Sequence, residues 1–118
     1  MSSITLFILP NDSRCELGEG GWIFESKNFV PDSATQKVID FFNTPLNEEF
    51  LEIKKYQNDL TQINVVLNND GKVNEIFIRT KLEKENVLGN LSRLLSGEDI
   101  EVFDPSESTG STRVRRTP

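Results

Sequence analysis

The chain has no histidine, and only one cysteine, one methionine, one tryptophan and one tyrosine among its 118 residues. Without histidine it lacks the side chain that titrates near neutral pH and the commonest metal ligand. Neither a Ser-His-Asp triad nor a Cys-His nucleophile pair can be assembled. Cys15 has no second cysteine to form an intramolecular disulfide. With carboxylates and one thiol as the remaining ligands, a zinc site is disfavoured. The N-terminal apolar run, Ile4–Leu9, has no basic segment before it. It is far below the ~20 residues of a membrane helix and too short for a signal-peptide core. These absences lead to the expectation of a cytoplasmic, non-enzymatic protein with no cofactor, no metal and no membrane span.

Charge is plentiful but uneven. The 19 acidic residues outnumber the 13 basic ones, giving a net charge of −6. Arg113, Arg115 and Arg116 lie near the C-terminus, beyond the last acidic residue. Residues 1–112 therefore hold ten basic against 19 acidic side chains, a net charge of −9. A body this acidic repels a phosphate backbone, so no nucleic-acid partner is expected. The same field steers a basic protein toward it.

Apolar periodicity gives the expected elements. Ile4–Leu9 reads as a buried strand ended by Pro10-Asn11-Asp12-Ser13. A glycine-rich stretch, Gly18-Glu19-Gly20-Gly21, reads as a loop before a short strand at Trp22-Ile23-Phe24. Pro31-Asp32-Ser33 opens a helix with the apolar stripe Ala34, Val38, Phe41 and Phe42. Its Ser33 and Gln36 have capping-box spacing, and Asn43-Thr44-Pro45 ends it. Phe50–Tyr56 alternates as a strand, with Leu51 and Ile53 on one face and Glu52 and Lys54 on the other. Gln62–Leu67 and Val73–Thr80 form a hairpin whose reversal uses Asp70-Gly71. Ile76 and Ile78 share one face of its second strand, leaving Phe77 and Val66 for a glycine-rich segment or a second subunit to cover. Val87, Leu88, Leu91, Leu94 and Leu95 make the clearest helical stripe, with Gly97 suited to the C-terminal cap. Ile100–Phe103 closes as a strand.

The expected architecture is one α+β domain over residues 1–104. It has an antiparallel or mixed sheet of about five strands with two helices on one face, a ferredoxin-like variant. Residues 105–118, rich in Ser, Thr and Gly, are expected to be a disordered tail.

Few residues bear chemistry. Glu48 and Glu49, just outside the strand, and Glu52, on its wet face, form an acidic cluster that could meet Lys or Arg of a partner or form part of a Mg²⁺ site. Trp22, if exposed beside Glu19 and Glu25, is the aromatic anchor candidate. Gly18-Glu19-Gly20-Gly21 lacks both G-x-G-x-x-G spacing and a following Lys-Ser/Thr, so it is not a phosphate cradle. Cys15 has no assisting histidine or second thiol. In its Leu-rich helix leading to a short strand and Phe103-Asp104-Pro105, the chain resembles several small bacterial α+β proteins. In size, acidity and lack of catalytic residues it is similar to immunity proteins that neutralise toxins. The resemblance carries over no contact residue. The acidic body and the absence of histidine lead to the expectation of an inhibitor that occludes a basic active site, with Glu48, Glu49, Glu52 and Trp22, read from the sequence itself, as the candidate contacts. The alternatives are a structural subunit that forms a homodimer, and a small-ligand-binding protein.

Overall fold

A computed structural model describes residues 3–106 of the chain. The chain runs β1 (Ile4–Pro10), β2 (Arg14–Gly18), β3 (Gly21–Glu25), α1 (Asp32–Phe42), β4 (Leu46–Phe50), β5 (Ile53–Gln57), β6 (Thr61–Leu67), β7 (Val73–Thr80), α2 (Lys84–Leu94) and β8 (Ile100–Phe103). The class is α+β, as expected, but the sheet count differs. Six strands form one sheet in the order β4-β5-β6-β7-β1-β8, and β2 and β3 form a separate two-stranded sheet. All five pairings of the larger sheet are antiparallel.

Register sorts side chains onto the two sides of the pleat. Leu6 and Ile8 of β1 lie opposite Ile78 and Ile76 of β7, which lie opposite Ile63 and Val65 of β6. All six join one buried cluster with Ala34, Val38, Ile39 and Phe42 of α1 and with Val87, Leu91 and Leu95 of the second helical segment. Each fully buried Leu or Ile contributes roughly 1.5–3 kcal/mol, so this cluster is the main source of stability. The stripe read for α1 is shifted by a residue at one place. Ile39 is in the cluster, and Phe41 packs against its margin.

The other side of the pleat is aromatic. Phe7 lies opposite both Phe77 and Phe103, and the β2–β3 hairpin lays Phe24 and Trp22 over them. Phe24 sits 4.8 Å from Phe7 and 5.6 Å from Phe103, and Trp22 meets Phe103 edge-on at 4.8 Å. Phe7 meets Phe77 at 5.5 Å. The glycine-rich segment is thus the tip of a hairpin, with Gly21 at φ 121°, a conformation that only glycine adopts without strain.

Several local expectations are corrected. The strand read at Phe50–Tyr56 is two strands, β4 and β5, reversed at Leu51-Glu52. Leu51 therefore does not share a strand face with Ile53, and Glu52 is a turn residue. The Ser33–Gln36 capping box does not form. The Ser33 hydroxyl donates to the Glu98 carboxylate at 3.0–3.1 Å, and Gln36 donates to Asp40 at 2.9 Å. In the β6–β7 loop only Gly71 has positive φ, at 81°. Asn68, rather than Asp70, organises the loop, since its Oδ1 accepts from the Asp70 and Lys72 N–H groups at 2.8 and 2.9 Å. Asn58 does similar work between β5 and β6. Its Oδ1 accepts from Leu60 and Thr61, while its Nδ2 donates to the Phe42 and Asn43 carbonyls at the end of α1. Of the tail expected over residues 105–118, Pro105 and Ser106 form a turn in which the Ser106 N–H and hydroxyl donate to Asp104, and the rest, including the arginines at 113, 115 and 116, lies outside the described residues.

Candidate functional site

The acidic cluster lies on the outermost strand of the large sheet. Among the described residues β4 pairs only with β5, so its outer edge faces away from the sheet. All five of its residues are exposed. Glu48 and Glu49 are strand residues, not outside the strand as the alternation in sequence suggested. Their register partners on β5 are Lys55 and Lys54. Neither glutamate is among the salt bridges of the described residues, which are Lys37–Glu98 and Lys84–Asp104. Opposite charges facing across a ladder still favour the pairing, by a few tenths of a kcal/mol. The patch is therefore acidic at its rim and basic one strand inward.

Apolar side chains flank these carboxylates. Leu46 is 52% exposed, Phe50 60% and Leu51 88%. Leu51 also has φ 49°, in the left-handed region. A non-glycine residue there costs about 1–2 kcal/mol, and glycine or asparagine would relieve it. A strained leucine at an exposed hairpin tip contributes little to the core. The turn it forms is nevertheless well held, because the Leu67 N–H donates to the Glu52 carbonyl at 2.7 Å. A register shift between Leu46 and Glu48 kinks β4, the usual device against indiscriminate edge pairing.

Trp22 is not brought to the acidic cluster. It is half-buried, with one edge committed to Phe103. Its hairpin neighbours Leu17 and Ile23 are the more exposed residues. Cys15 is half-buried on β2, opposite Phe24. Among the described residues no group of three or more acidic, histidine or cysteine side chains is placed to hold a metal ion. No helix among them is long and apolar enough to cross a membrane.

One residue that the sequence did not single out stands apart. Glu75 lies on the aromatic side of the pleat of β7, opposite Val66 of β6. Burial pushes its carboxyl above the ordinary range, with no other cause acting. It lines a recess of about 450 Å³ with Ser13, Phe24, Glu25, Ser26, Asn28 and Asn74. In sequence Glu75 looks like any polar residue on the wet side of a strand. Only the docked β2–β3 hairpin, some fifty residues earlier in the chain, makes it half-buried.

The remaining perturbed carboxylates have structural explanations. Hydrogen bonds from Lys37 and Ser33 hold Glu98 below its usual range, against a smaller opposing effect of burial. They tie the loop after α2 to the first turns of α1. Burial pushes Asp104 up, but hydrogen bonds from Lys84 and Ser106, together with the Lys84 charge, outweigh it and leave the carboxyl low. Asp12 is held low chiefly by the Ser26 hydroxyl, which links the turn after β1 to the end of β3. Compared with protein-family models, with curated protein sequences and with solved structures, the chain matches none.

Proposed function

We propose that the chain is a non-enzymatic binding module for a basic protein, engaged through the β4–β5 edge. The observation that carries this reading is the exposed, strained Leu51, with Phe50 and Leu46 beside it and Glu48, Glu49 and Glu52 around them. An apolar centre rimmed by charge is the usual composition of a protein contact. The net charge of −9 over residues 1–112 favours a basic partner. The mechanism we favour is occlusion, as in a toxin-immunity-like inhibitor, with the hairpin tip seated over a basic active site. Residence in the cytoplasm accords with the single Cys15.

The strand order β8-β1-β7-β6, with α1 between β1 and β6 in sequence and α2 between β7 and β8, supports a ferredoxin-like plan. On this reading β4–β5 is an added edge and β2–β3 an added cover. The shared buried cluster of Ala34, Val38, Val87 and Leu91 supports both helices lying on one face.

The test is affinity capture by the intact chain at low salt, repeated with Phe50→Ser/Leu51→Ser and with Glu48→Gln/Glu49→Gln/Glu52→Gln. A basic partner lost from the first variant, and weakened by salt in parallel with the second, is the expected result. A partner retained by both variants would overturn the assignment of the edge. The alternative is a homodimer. It draws on the row Phe50, Ile53 and Val66, which are register neighbours across β4, β5 and β6 and none of which is fully buried. Sedimentation at micromolar concentration separates the two readings, because a strictly monomeric chain removes the second.

A further inference from the structure

We propose that the Glu75 recess binds an alkylguanidinium, the head group of an arginine side chain. This inference goes beyond the edge surface, since it uses other residues and stands even if β4 binds nothing. Its lining holds two carboxylates, Glu25 and Glu75, together with Ser13, Ser26, Asn28 and Asn74 and the ring of Phe24. Among the described residues no basic side chain is part of it. At about 450 Å³ it falls in the range of small-ligand sites.

The Glu75 side chain makes no hydrogen bond or ion pair among the described residues, although it is half-buried. A buried charge normally has a partner, because losing water without compensation is costly. The lysine nearest in sequence, Lys72, is engaged elsewhere, 5.5 Å over the ring of Phe29. The recess thus presents an uncompensated carboxylate, a second carboxylate and an aromatic wall. That combination suits a planar cation with several donors. A guanidinium gives bidentate hydrogen bonds to a carboxylate, stacks on a ring and sheds water more easily than an ammonium. A hard metal ion fits less well, since the lining brings only two carboxylates and no group of three or more acidic, histidine or cysteine side chains among the described residues is placed to hold one. The approach is also suitable. Val66 lies opposite Glu75, and Ile53 opposite Val66, so methylenes of the stem can lie along apolar side chains while the head reaches the carboxylate.

Two sources can supply this chemistry: an arginine of another molecule, or the chain's own Arg113, Arg115 and Arg116. The test is an amide chemical-shift titration of the full chain with Nα-acetyl-arginine N-methylamide, with the citrulline and lysine counterparts as controls. Saturable shifts at Phe24, Asn28, Asn74 and Glu75 are expected with the arginine compound, weaker ones with lysine and none with citrulline. Glu75→Gln is expected to weaken binding by about tenfold or more, the loss of one charge-assisted contact. The substitution removes an uncompensated charge, so the fold is expected to persist, and the spectrum of the free variant reports this directly. In the full chain with Arg113→Gln, Arg115→Gln and Arg116→Gln, tighter binding would identify the chain's own arginines as competitors. Unchanged binding would point to another molecule. Equal shifts with citrulline, undiminished binding by Glu75→Gln, or no saturable shift in either the native or the triple-variant chain would overturn the proposal.

Discussion

Replacing Phe24 by alanine probes how the β2–β3 hairpin is held. The hairpin belongs to a separate two-stranded sheet, so side chains must supply most of its attachment. Phe24 is half-buried. Taking about 100 Å² of its surface as removed from water, at about 25 cal/mol per Å², the transfer contribution is about 2 kcal/mol after allowing for the alanine methyl. The close ring pairs with Phe7 and Phe103, at 4.8 and 5.6 Å, add about 0.5–1.5 kcal/mol each. The total is about 3–5 kcal/mol, the usual range for removing a packed phenylalanine. For a chain of this size that corresponds to a fall in Tm of about 12–20 °C. Trp22 is the sole tryptophan and rests on the same cluster, so its emission reports docking directly. The Phe24→Ala variant is expected to show red-shifted emission already in the native state, with the far-UV signal of the large sheet retained. Ile23→Ala, on the other side of the hairpin, serves as the control and is expected to lower Tm by no more than about 3 °C. If Phe24→Ala lowered Tm no more than this control and left the emission unshifted, the rings would not be what holds the hairpin down.

Thr80→Val is expected to destabilise by about 1–3 kcal/mol in urea unfolding, because it orphans the buried Thr61 hydroxyl 2.8 Å away and removes the acceptor of the Leu82 N–H. The double variant Thr61→Val/Thr80→Val should recover part of that loss, and an additive double variant would refute the pairing. Leu51→Gly is expected to raise stability by about 0.5–1 kcal/mol through relief of the left-handed backbone, less the added freedom of the unfolded chain. A lower Tm would show that the turn is not strained. For pH, the signs differ among the perturbed carboxylates. Asp104 is depressed in the folded chain, so its contribution is complete above its ordinary value of 3.8 and is lost as pH falls through the lower folded value. Glu75 is raised, so its contribution is complete below its ordinary value of 4.5 and is lost as pH rises through the higher folded value. Thermal unfolding from acid to neutral pH should therefore show a flatter acid limb in Asp104→Asn. In Glu75→Gln it should show a smaller loss of stability toward neutrality, and a neutral-pH Tm at or above that of the native chain. Parallel curves for the variants and the native chain would contradict both assignments.

What could be read in the sequence was whatever buries one face of a regular element. The β6–β7 hairpin and α2 announce themselves because Ile63, Val65, Ile76, Ile78, Val87 and Leu91 keep the period of a strand or a helix. β4 has no such signal, since none of its residues is buried. Its reversal at Leu51-Glu52 uses neither glycine nor asparagine, so β4 and β5 read as a single strand. β2 is similar, with Arg14 and Glu16 exposed and only Cys15 and Gly18 partly covered. Ser33 and Gln36 have the right spacing for a capping box, but Glu98, 65 residues away, takes the hydroxyl. No local rule anticipates such a competitor. The acidic cluster was visible as composition, while the apolar residues that accompany it at the edge needed the turn at Leu51 to be located. Glu75 could not be found at all, because its environment is made by a distant hairpin.

The position of β1 has a consequence for the order in which the molecule is completed. β1 is synthesised before every other element described, yet its neighbours in the sheet are β7 and β8. Its hydrogen-bonding edges, and the apolar positions Leu6, Ile8 and Phe7, have no strand to pair with until the ribosome has passed Thr80, and one edge waits until Phe103. β4 to β7, by contrast, form consecutive antiparallel neighbours that can close locally. The N-terminal strand must therefore stay uncommitted while a four-stranded meander assembles, and then insert beside its last member. A nascent chain halted before β8 would carry a hydrophobic strand with one bare edge, the point at which chaperone recognition or misassociation would be concentrated.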